Sequence, residues 1–171
     1  PPTPGQVEKP PFHIPLALGL VGPDGSDVPL QMDGEKRAAG TTRVLSVNRA
    51  EEEFVFVNVA WQPVPSLLRG FSAPVNLRFE YSDADLTHLM AHDSDAFNRW
   101  EAGQRLALNL LLRGIASYRA GHAPAFPESF VKAFSRVLAD ATRDPAFAAE
   151  ALGLPSEAYV AEQMEEVDAD A

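Results

Sequence analysis

The chain has 171 residues, enough for one domain or two small ones, and 46% hydrophobic with 22% charged residues is the composition of a globular protein with a buried core. A net charge of -10 with no clustered Lys or Arg argues against nucleic acid or an anionic membrane as partner, because binding phosphate needs grouped positive charge. The lack of cysteine removes disulfides, thiolate metal sites and Cys nucleophiles together; it fits a reducing compartment, so a cytoplasmic location is expected.

No apolar run reaches the roughly 18 residues of a membrane span, and no basic stretch precedes a short apolar one as in a signal peptide. The opening Pro1-Pro2-Thr3-Pro4-Gly5, without an initiator Met, reads as a linker inside something longer. Residues 165–171 end the last helical pattern without a closing element, which gives the same reading.

From Phe12 to Tyr81 the period is two. Ile14, Leu16, Leu18 and Leu20 alternate with His13, Pro15, Ala17 and Gly19, the pattern of a strand with one buried face. Gly22-Pro23-Asp24-Gly25 is turn chemistry, so residues 28–32 are expected to return as a partner strand. Strands are then expected over residues 42–47, 53–59 and 75–81, the last with Val75, Leu77, Phe79 and Tyr81 on one face. Short strands at this spacing, divided by Gly and Pro turns, predict an all-β sandwich.

From Ser82 onward the period becomes 3.6. Ser82 is placed to cap a short helix, with Asp85 three residues on. A long helix over residues 95–119 is expected from Phe97, Trp100, Gln104, Leu108, Leu111, Ile115 and Tyr118, which fall at three-and-four spacing along one largely apolar face, and Gly121 is placed to end it. Pro127 opens a helix with Phe130, Phe134, Val137 and Leu138, and Asp144-Pro145 and Pro155-Ser156 open two more. The fold expected is therefore a sandwich over residues 1–82 followed by a helical segment over 83–171, the start of a bundle or superhelix. Charge divides at the same boundary: 7 basic against 9 acidic residues before it, 7 against 15 after it, for sums of -2 and -8. The acidic half reads as a solvated outer face.

Nothing in the sequence assembles a catalytic constellation. His88-Leu89-Met90-Ala91-His92 has the i, i+4 spacing of two zinc ligands, with Asp85, Asp93 or Asp95 as a third. Leu89, however, stands where a metallopeptidase needs the Glu that takes a proton from metal-bound water, and two His at this spacing read as an ordinary helix surface. His13 in a strand and His122 in a loop have no Ser, Cys or Asp arrangement around them. Glu51-Glu52-Glu53 are adjacent, so their side chains diverge along a strand and read as solvated. Catalytic, cofactor-binding and metal residues are thus all expected to be none.

The segment that stands apart is Trp61-Gln62-Pro63-Val64-Pro65-Ser66-Leu67-Leu68-Arg69-Gly70-Phe71-Ser72-Ala73-Pro74-Val75. Its three prolines forbid one continuous strand, so the chain must turn a corner. Trp61, Leu67, Leu68 and Phe71 are expected to pin that corner and Arg69 to anchor on nearby carboxylates or carbonyls.

This segment resembles the Pro-Val-Pro-Ser-Leu-Leu-Arg-x-Phe-Ser-Ala-Pro-Val stretch of the bacterial aminopeptidase N family, the gluzincin or membrane alanyl aminopeptidases. Phe12-His13-Ile14-Pro15-Leu16, Phe54-Val55-Phe56 with Asn58-Val59, and Leu86-Thr87 through Arg99-Trp100-Glu101-Ala102 agree with the family in order and spacing, so the resemblance covers nearly the whole chain. It implies a parent zinc exopeptidase that removes single residues from peptide N-termini, with its metal on a His-Glu-x-x-His motif absent here. It further implies that residues 1–82 are the non-catalytic immunoglobulin-like domain and 83–171 the first helices of the C-terminal helical domain. In the family one or two strands would precede Pro1, and their loss would expose a sheet edge. The expected role is a spacer, not an enzyme in itself, with the parent's catalytic and helical domains as partners and Trp61, Leu67, Phe71 and Trp100 packing within or between the halves. The alternative is a free-standing immunoglobulin-like module that binds protein, with an acidic helical face.

Overall fold

The computed structural model describes residues 4–5 and 9–164, so the readings of residues 1–3 and 165–171 lie outside it. Strand β1 (Ile14–Val21) is the centre of a three-stranded antiparallel sheet, between β2 (Thr42–Val47) and β3 (Val64–Leu67). Leu16 stands opposite Leu45, and Gly19 stands between Thr42 on one side and Ser66 on the other.

The alternation along β1 predicts one buried face, but the strand is covered on both. Leu18 packs with Leu30 and Leu45 in a small core reached by Met32, Phe54 and Phe56. On the other face Ala17 and Gly19 are buried, and Val21, fully buried, joins the core of the helical half with Leu86, Met90 and Leu106. Ala17 and Gly19 are small enough for other groups to lie directly on the strand, which the period-two pattern does not reveal.

Residues 28–32 return beside β1 only at the outset: the Val28 amide donates to the Leu20 carbonyl at 2.8 Å. The chain then crosses to residues 55–57, where Met32 bridges Phe56 and the Val57 amide donates to Gln31 at 2.9 Å. Segments 28–32 and 53–59 are thus bridged pieces facing the sheet, a smaller β element than the full sandwich expected. Residues 75–81 also depart from expectation. They lie outside every strand of the described residues, with residues 74–80 all exposed, because no neighbouring strand offers them a ladder.

The helical half follows its local signals. Helix α1 (Asp83–His92) begins with a capping box, Ser82 Oγ accepting from the Asp85 amide and the Asp85 carboxylate accepting from the Ser82 amide. Helix α2 (Ala96–Arg119) is capped by Asp95, and Gly121 beyond its end takes φ 78°. Helices α3 (Glu128–Ala139), α4 (Pro145–Ala151) and α5 (Glu157–Glu162) follow, with Pro127, Asp144 and Ser156 as their N-caps. Pro127 and Pro155 therefore lie before the first helical position rather than in it.

The apolar stripe of α2 is not the expected one. The buried residues are Asn98, Ala102, Gly103, Leu106, Ala107 and Leu110, whereas Phe97 and Tyr118 are exposed. Helix α2 is apolar around much of its girth, and the face with Ala102, Gly103 and Ala107 wins because it lets α1 approach closely; Met90 lies against Gly103. Among the described residues no helix is long and apolar enough to cross a membrane.

Candidate functional site

The corner after β3 is built from backbone that most residues avoid. Leu68, Gly70 and Phe71 all take positive φ, at 58°, 62° and 52°, and each non-glycine in that region costs roughly 1–2 kcal/mol. The tight winding turns Leu68 and Arg69 inward, where both are buried, and leaves Phe71 outside. Phe71 meets Phe97 edge to face at 5.5 Å, and Phe97 in turn meets Trp100 at 5.7 Å. Trp61, expected to help pin the corner, is 64% exposed and does not.

Arg69 is the centre of the molecule's buried polar network, 5% exposed. Its guanidinium forks onto Asp27, with Nη2 donating to Oδ1 at 2.7 Å and Nη1 to Oδ2 at 3.1 Å. Nη1 also reaches Thr42 Oγ1 at 2.8 Å, Nε reaches Ser66 Oγ at 2.8 Å, and Nη2 reaches Asp93 Oδ1 at 3.2 Å. These partners come from the turn after β1, from β2, from β3 and from the link between α1 and α2. The guanidinium lies on Gly19 of β1, where a Cβ would fall 2.0 Å from its Cζ. Gly19 is therefore the floor of the site.

The α1–α2 link closes the network from the helical side. Ser94 Oγ donates to Asp27 Oδ2 at 2.6 Å. Asp95 caps α2 through one carboxylate oxygen and accepts the Gly70 amide with the other at 2.8 Å. Asn98, buried on α2, donates to Ser66 Oγ and to the Leu67 carbonyl at 2.8 and 2.9 Å. Tyr81 adds a bond from its hydroxyl to the Pro65 carbonyl at 2.8 Å, and burial pushes that phenol up to about 12.

The two carboxylates on Arg69 are tuned in opposite directions. Burial raises the Asp27 carboxyl, but bonds from Arg69 and Ser94 and the Arg69 charge outweigh it and hold the group below its usual range. Burial dominates at Asp93, where Ser66, the Asp95 amide and Arg69 recover only part of the cost, so its carboxyl is raised. Asp93 Oδ2 is buried with no hydrogen-bond partner among the described residues. The arrangement can hold two segments together; its exposed hydroxyls, on Thr42 and Ser94, are engaged by Arg69 and Asp27.

The residues weighed for metal lie elsewhere or are already engaged. His88 and His92 stack with ring centroids 4.8 Å apart under the Gly22–Ser26 turn, half-buried rather than on an open helix surface. His88 Nε2 donates to the Gly22 carbonyl at 2.8 Å. Asp85 is committed to its capping box, Asp93 to Arg69, and Asp95 to the α2 cap. Among the described residues no three His, Cys, Asp or Glu converge as a metal site. His13 and His122 are exposed, and Glu52 accepts the Asn48 amide at 2.7 Å.

Sequence reasoning found Arg69 and its appetite for carboxylates, but not Asp27, Ser66, Asp93, Ser94 or Asn98. Two signals were available: a glycine in mid-strand, which marks close approach, and a polar residue on the small-residue face of α2.

A β half joined through a buried arginine to a helical half defines a two-part module, and comparison with known proteins gives the same division. A domain of unknown function with an Ig-like fold, DUF3458, matches residues 1–80, and its companion of ARM repeats, DUF3458_C, matches residues 83–171. The chain belongs to this family, and the curated relatives it matches are bacterial proteins named aminopeptidase N. Aminopeptidase N of Escherichia coli is 44% identical over 98% of the chain and 19% of its own length. The Haemophilus influenzae protein of that name is 34% identical over 99% of the chain and 19% of its length, and the Caulobacter vibrioides one 40% identical over 89% and 16%. A crystal structure of Legionella pneumophila aminopeptidase A in complex with aspartic acid superposes with a TM-score of 0.66 at 30% identity, over 91% of this chain and 17% of that one. The chain thus spans about a fifth of the length of the curated relatives it matches.

Proposed function

We propose that this chain is a non-catalytic spacer of a zinc metalloaminopeptidase of the aminopeptidase N type, working in the cytoplasm. In that role it sets the distance and angle between a catalytic domain and a C-terminal helical domain while the parent removes N-terminal amino acids from peptides. The observation that carries this reading is the Arg69 joint: one buried cation whose hydrogen-bond partners come from both halves. A joint of this kind fixes position and does no chemistry. The match to about a fifth of the length of several aminopeptidases supports it. The zinc implied by the resemblance would be held by other parts of the parent, and no step of hydrolysis falls to residues here. In the same reading, strands from the rest of the parent complete the Ig-like sandwich by pairing with the exposed residues 74–80.

The test is Arg69→Met in the parent enzyme, with distance labels on the two halves. The expected result is a broadened distance distribution and altered handling of peptides, while turnover of a small aminoacyl chromogenic substrate stays near the parent level. An unchanged distribution would sink the spacer reading. Tight binding of a peptide or protein by this chain alone would favour the binding module instead.

A further inference from the structure

The turn between β1 and residue 27 sits on a titratable floor. Gly22 and Gly25 close it, the Gly22 amide donating to the Ser26 carbonyl at 2.8 Å and the Gly25 amide to the Gly22 carbonyl at 2.9 Å. Asp24 is held inside the turn by the Ser26 amide and hydroxyl at 3.0 and 2.8 Å. The backbone of Gly25, at φ 81°, presses on His92 so closely that a Cβ would fall 2.1 Å from Nδ1. His88 beside it holds the Gly22 carbonyl. Directly after the turn comes Asp27, the fork on which Arg69 rests.

We infer that the stacked His88–His92 pair is an acid-sensitive latch: a proton on His92 releases the Gly22–Ser26 turn and, through Asp27, slackens the Arg69 joint. The inference stands apart from the spacer reading, since it concerns only how the two halves of this chain are held.

Every element packed around His92 brings a charge. Arg136 of α3, whose Nε donates to the Ala91 carbonyl at 3.0 Å, and Arg99 of α2, whose Nε donates to the Met90 carbonyl at 3.3 Å, oppose a second cation there. His88 on α1 does the same, and Lys132 and Asp83 line the groove beside the pair. Asp24 in the turn and the C-terminal end of α1 favour the cation. Burial is the largest effect, and with Arg136, His88 and Arg99 it pushes the His92 imidazole below its ordinary 6.5. A histidine whose folded value is depressed supports the docked turn above its ordinary value. That support is lost as pH falls through the folded one.

Hydrogen exchange of the intact protein, read peptide by peptide from about pH 7.5 to about pH 5.5, tests this across the range in which histidine titrates. After correction for intrinsic rates, segment 20–30 should lose protection severalfold on acidification, with a midpoint below 6.5. His92→Gln, which keeps a polar side chain of similar reach but cannot titrate, should abolish the loss. Arg136→Gln should move the midpoint upward. No pH-dependent loss in the parent sequence, or a loss that survives in His92→Gln, overturns the latch. Should His92→Gln fail to fold, an unmoved midpoint in Arg136→Gln overturns it as well.

Discussion

At the scale of single residues, the molecule depends on one buried cation having no substitute. Arg69 brings a planar fork to Asp27 and further donors to Ser66, Thr42 and Asp93, a set that a lysine ammonium cannot serve together. Removing it leaves Asp27 partly buried and Asp93 wholly buried, both without their cation. Arg69→Met should cost about 3–5 kcal/mol, the range for a broken buried ion pair, measured by denaturant unfolding. A loss below about 1 kcal/mol would mean that the network is ornamental. Gly19→Ala should destabilise by displacing the same guanidinium, and the double variant should fall well short of the sum because both changes act on one contact.

At the scale of elements, the links between them carry more than the elements themselves. Asp95 is both the N-cap of α2 and the acceptor of the Gly70 amide at the corner, so one carboxylate fixes a helix start to a loop in the other half. Asp95→Ala should therefore exceed the roughly 1 kcal/mol of a lost cap, whereas Ser82→Ala at the start of α1 should stay near it; paired thermal unfolding curves separate the two. The same contrast explains what could be read in advance. The capping box at Ser82, the stop at Gly121 and the cap at Asp144 are short-range signals and were legible. The true face of α2, the double burial of β1 and the unpaired state of residues 75–81 depend on what lies across the fold. Periodicity places residues on faces but does not say which face has a neighbour. Arg69 was legible as an anchor because a lone cation among prolines and apolar residues must find partners; Asp27 and Asp93 were not, lying 42 and 24 residues away.

At the scale of the whole molecule, the apolar surface left outside is uneven. Val75, Leu77 and Phe79 are each between 37% and 38% exposed along one extended segment whose neighbours are exposed too. Such a run is tolerated where other chain covers it and is an aggregation hazard where none does. Leu77→Lys should leave the stability of this chain almost unchanged and lower that of the longer parent, by melting temperature in each context. An equal effect in both would show that the segment is not a docking strand.

The sharing of Asp27 has an evolutionary corollary. An isolated ion pair can drift through reversal, acid for base and base for acid, with its geometry preserved. Asp27 answers to Arg69 and to Ser94 at once, Arg69 answers to a second acid at Asp93, and Gly19 leaves space only for a flat cation. The polarity of this joint is therefore locked: lineages can lose it or keep it, but they have no single exchange by which to invert it.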